Sequence, residues 1–131
     1  MLEKIYTRVR CHLTPAVWVL VPGIVFHELT HVVVARPWAA ETGVDWSGDA
    51  PLARMVWPPE TPAWAVVAAH LAPVVVGTFI GSFAAATVLN DPQAVAGVSP
   101  SLAGYLALNW LAYALPSPSD VAPVVEVIQR G

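Results

Sequence analysis

Charge is missing over long reaches of this chain, and that limits what it can become. Between Arg10 and Arg36 the only charged residue is Glu28. Between Glu60 and Asp91 there is none, and between Asp91 and Asp120 there is none. A bilayer core about 30 Å thick takes roughly 20 apolar residues as a helix, so each reach has room for one. The sequence therefore predicts an all-α membrane protein of about three transmembrane helices, over residues 15–35, 64–89 and 101–115, the third being the shortest. Of 131 residues, 56% are hydrophobic and 11% charged. That is too few charges to cover a small soluble globule and too much apolar content for a disordered chain. Six basic against nine acidic residues leave no positive excess for nucleic acid to exploit. Cys11 is the only cysteine, so neither an internal disulfide nor a cysteine zinc cluster can form. The length fits a single domain over 1–131.

The segments between the spans are short. Residues 1–12 carry Glu3, Lys4, Arg8 and Arg10, which suits an interfacial helix, with His12 at the interface. A cleaved leader is the competing reading of the first span, but no small-residue cleavage site follows it. Pro22-Gly23 should loosen that span, and Arg36-Pro37-Trp38 should end it. Residues 39–62 form the only sizeable polar segment. There Ser47-Gly48-Asp49 reads as a turn, which predicts a short interfacial loop or hairpin between the first and second spans. Glu41, Asp45 and Asp49 read as solvated loop charges. Trp38, Trp57 and Trp64 fall near span ends, as an aromatic belt requires. Gly77 and Gly81, with Ala85 on the same face, should let a neighbouring helix approach closely. After Pro116-Ser117-Pro118-Ser119-Asp120, the tail from 121 to 131 reads as one or two amphipathic turns.

The chemistry is carried by His27-Glu28-Leu29-Thr30-His31. Residues four apart stand one above the other on a helix, so His27 and His31 can ligate one metal ion. Glu28 then reaches a bound water as general base without being a ligand. Ionisable groups inside a span are costly, and such residues tend to be functional. A catalytic zinc usually takes three protein ligands. Asp120, at the end of a span after a Pro-x-Pro break, is the first candidate for the third, its other reading being a solvated helix cap. His70, in the second span, is the alternative. It could ligate, hold a substrate backbone or hydrogen-bond within the bundle. Asn109 should hydrogen-bond inside the bundle or position substrate.

These residues resemble the site-2 protease family of intramembrane zinc metalloproteases. The likeness rests on Phe26 to His31 within a membrane helix, and on Asn109 followed by Leu115-Pro116-Ser117-Pro118-Ser119-Asp120. It implies one zinc ion per chain held by His27, His31 and Asp120, with Glu28 as catalytic base. It also implies a three-helix core whose middle helix is faintly echoed by Leu71-Ala72-Pro73. Val121 stands where the family has Gly, the spacing from Asn109 to Asp120 is longer than usual, and no segment is large enough for a PDZ domain. The chain would be a minimal, divergent member. Lys4, Arg8 and Arg10 favour a cytoplasmic N-terminus, whereas the resemblance places the segment after the first span in the cytoplasm.

The leading expectation is an intramembrane zinc metallopeptidase in the cell membrane of a prokaryote. Its partners would be membrane lipid and a membrane-protein or peptide substrate, with no nucleic acid and with self-association as a possible means of enclosing the site. The alternative is a non-catalytic metal-binding membrane protein that serves as partner or regulator of a complex. A compact soluble zincin is the third reading.

Overall fold

The computed structural model describes residues 14–48 and 50–130; the interfacial helix expected over 1–12, His12 and Asp49 lie outside these. The described chain is mostly helical. It runs α1 (Thr14–Ala35), β1 (Glu41–Asp45), β2 (Leu52–Val56), α2 (Ala63–Asn90), α3 (Pro100–Ala114) and α4 (Pro118–Arg130). A 3-10 turn, Pro92–Val95, joins α2 to α3. Stretches of α1 (Trp18–Ala35) and α2 (Ala63–Asn90) are long and apolar enough to cross a membrane.

Two expectations need correction. The chain is not all-α, because β1 and β2 pair antiparallel with Glu41 opposite Val56 and Asp45 opposite Leu52. This is the hairpin form of the connection, turned near Ser47-Gly48. The third reach is not one span either. Its helix α3 has 15 residues, about 22 Å at 1.5 Å per residue, which is short of a bilayer core. Leu115 is extended and closes α3, Pro116 has no N–H to extend it, and a second helix, α4, starts at Pro118. The amphipathic tail is thus a 13-residue helix that begins before Asp120.

Close packing follows from small residues at helix crossings. A Cβ on Gly77 would overlap Ala114, and one on Gly81 would overlap the Trp110 indole, so α3 seats on the Gly77–Gly81 face of α2. The Trp110 indole N–H donates to the Gly77 carbonyl at 2.8 Å. On α1, a Cβ at Gly23 would collide with the Asn109 carbonyl. Pro22 has no N–H, so the α1 ladder is already interrupted there. The Asn109 amide spans the next rung, accepting from the Gly23 N–H (2.9 Å) and donating to the Val19 carbonyl (3.1 Å). Its second N–H donates to the Tyr105 carbonyl at 3.1 Å. Trp38 and Trp64 stack edge-to-face at 5.1 Å, beside the C-terminus of α1 and the N-terminus of α2.

Candidate metal centre

The ligand atoms of His27, His31 and Asp120 lie within 4.8 Å of one another, and all three residues are buried. His27 Nε2 is 3.0 Å from His31 Nε2 and 3.1 Å from Asp120 Oδ2, and His31 Nε2 is 2.9 Å from Asp120 Oδ1.

The imidazoles are oriented from behind by backbone carbonyls. His27 Nδ1 donates to the Tyr113 carbonyl (2.6 Å) and His31 Nδ1 to the Ala69 carbonyl (2.7 Å). A carbonyl can only accept, so each ring carries a proton on Nδ1 and turns Nε2 inward. Both carbonyls are free for a reason found in the sequence. Ala69 would bond the N–H four residues on, but that residue is Pro73, which has none. Tyr113 would bond the Ser117 N–H, but α3 stops at Ala114 and that N–H goes to Asp120 Oδ2 at 2.6 Å.

Asp120 is placed by the start of α4. Ser117 precedes Pro118 at the first helical position, and the carboxylate three residues after Ser117 reaches back to its N–H. This is half of a capping box. The other half is absent, because Ser117 Oγ bonds Ser119 Oγ at 2.6 Å. Asp120 is therefore a helix-start residue, yet it is buried rather than solvated.

The two Nε2 atoms and the carboxylate thus face one another, and with both rings neutral they offer two imidazole lone pairs and a carboxylate oxygen to one cation. Ligands of a tetrahedral zinc at 2.0–2.1 Å stand about 3.3 Å apart, close to the separations found here. The donor set fits a zinc ion, and the Nδ1 bonds to carbonyls are the supports expected of metal-binding histidines.

Glu28 is buried and outside the converging set. Its Oε2 accepts from the Ala53 N–H of β2 at 2.6 Å. His70, the alternative third ligand, is not among the three converging residues, and its ring lies 5.9 Å from that of His31. Asn109 is not at the metal set. Its hydrogen bonds run to Gly23 and Val19 of α1 and to Tyr105 of its own helix, which is the bundle hydrogen-bonding expected of it. Thr30 and Tyr113 add a further tie. Thr30 Oγ1 donates to the Phe26 carbonyl, so the Tyr113 hydroxyl donates to Thr30 at 3.1 Å. Glu41 makes a loose exposed pair with Arg54 at 3.9 Å. Asp45 sits in the hairpin turn, where hydrogen bonds from the Ser47 hydroxyl and amide hold its carboxyl below the usual carboxylate range.

The groups missed in the sequence are the main-chain partners at Ala53, Ala69, Tyr113 and Ser117. Only the prolines announce any of them, Pro73 by freeing the carbonyl four residues back and Pro116 by ending α3. The chain matches no protein-family model, no curated protein and no solved structure.

Proposed function

We propose that the protein is an intramembrane zinc metallopeptidase, similar in chemistry to the site-2 protease family. One observation carries this reading: a buried His27–His31–Asp120 set with Glu28 beside it, in a bundle whose two long helices have the length and apolarity of membrane spans. A zinc ion held there would supply Lewis acidity and bring the pKa of water to about 7. Glu28 takes the proton of the attacking water and returns it to the leaving amine. One oxygen of Glu28 is fixed by β2 through Ala53, which leaves the other for the proton. The break between α3 and α4 supports water access, because non-helical backbone at membrane depth is tolerated only against protein or a wet cavity.

A non-catalytic metal-binding role is the second reading. It is favoured by the Ala53 N–H already occupying Glu28. The Glu28→Gln variant separates the two when purified in detergent and assayed on a fluorogenic membrane peptide. The metallopeptidase should keep one zinc per chain while cleavage disappears. Cleavage that survives the substitution defeats the mechanism, and a zinc-loaded wild type that cleaves nothing favours the second reading.

A further inference from the structure

We propose that His70 is a catalytic residue that donates a hydrogen bond to the oxygen of the scissile carbonyl as negative charge develops on it. This rests on the hydrolase reading above and assigns a group which that reading leaves idle.

His70 is 93% buried, at 7% exposure. Its Nδ1 is fully buried and has no hydrogen-bond partner among the described residues. A polar atom removed from water with nothing to replace it is unfavourable, and in native structures such an atom calls for an explanation. Metal ligation is not that explanation, since His70 lies outside the converging set.

Its position supplies one. Three imidazoles lie in succession, each beside the next. His27 and His31 have ring centres 4.7 Å apart, and His31 and His70 have theirs 5.9 Å apart. Glu28 adjoins His27 in sequence and lies three residues before His31 on the same helix. Strand β2 and the residue after it touch both Glu28 and His70. Its Ala53 N–H holds Glu28, and Trp57, just beyond the strand, has its ring 6.3 Å from that of His70. Four residues of extended chain cover about 13 Å. The base and the unpartnered imidazole thus both lie beside this stretch of chain, whose Ala53, Met55 and Trp57 are half-buried, and both adjoin the ligand set, Glu28 in sequence and His70 through the His31 ring.

That arrangement suits amide hydrolysis. Water adds to the carbonyl carbon and its proton passes to Glu28. The carbonyl π pair moves onto oxygen, where a neutral His70 N–H donates to it. When the oxygen pair falls back, the C–N bond breaks and the amine leaves with the proton from Glu28. His70 gives and takes no proton, and its contribution is a donor aimed where charge develops.

The test compares wild type with His70→Phe and His70→Gln, each purified in detergent and checked for a monodisperse elution profile. Zinc content, kcat and KM on the membrane peptide, and the affinity of a zinc-directed phosphinate peptide are measured. All three proteins should hold one zinc per chain. In His70→Phe, kcat should fall about 100-fold with KM nearly unchanged, and phosphinate affinity should fall in parallel, as loss of one oxyanion donor does. His70→Gln, which keeps an N–H donor, should recover part of both. Unchanged kcat and phosphinate affinity in His70→Phe overturns the proposal, and so does loss of zinc, which would make His70 a metal-holding residue. If the wild type cleaves nothing, the hydrolase reading fails by itself. The phosphinate comparison still judges His70, and equal affinities would overturn its assignment.

Discussion

Pro73 shows how a single residue without a functional group can shape a metal site. It denies the Ala69 carbonyl its helical partner, and His31 Nδ1 takes the vacancy at 2.7 Å. Pro73→Ala restores the competing N–H. Zinc affinity, measured by chelator competition, should then fall about 10- to 100-fold, the usual loss when an outer partner of a metal ligand is disturbed; unchanged affinity would show the carbonyl to be incidental. At this scale much was legible. His27, Glu28 and His31 are set by helical spacing, and Asp120 by the Pro-Ser-Pro-Ser run before it. The choice between Asp120 and His70 was not legible. It depends on which side chain comes within ligand reach, and both residues sit next to apolar stretches.

At the scale of elements, the crossing of α1 and α3 is set by Gly23 against the Asn109 carbonyl and by the Asn109 amide bridging Val19 and Gly23. Gly23→Ala pushes a methyl group into backbone that cannot yield. It should cost about 1–3 kcal/mol, the range for overpacking, read as a lowered midpoint of unfolding in detergent. A wild-type midpoint would mean that the helices separate freely there. The first two helices were legible from their uncharged length, and the Gly77–Gly81 face from the spacing of its small residues. The end of α3 was legible too, whereas the exact start of α4 was not. Hydropathy is blind to a missing N–H, and it was the Pro116-Ser117-Pro118 run that marked the end of α3; the start of α4 at Pro118, ahead of Asp120, carried no such mark. The hairpin was half visible, since the Ser47-Gly48 turn is a local signal whereas the β2–Glu28 contact is not.

For the whole molecule, the proposed membrane reading accounts for the many large apolar side chains on the outside, such as Trp18, Phe79, Phe83 and Leu89, which are 70–81% exposed. Exposed apolar area on this scale is foreign to a soluble monomer. The protein should therefore stay in the membrane pellet after alkaline carbonate washing and be released by dodecyl maltoside. Release by carbonate alone would revive the soluble zincin reading.

The two imidazoles stand on α1 and the carboxylate on the first turn of α4, with His27 and Asp120 93 positions apart in sequence. During synthesis, a nascent polypeptide stopped short of Asp120 would already have both histidines and the base in place. It would still lack the anion that completes the set. Under the proposed function, capture of the metal by all three ligands would wait until translation has passed the break at Pro116.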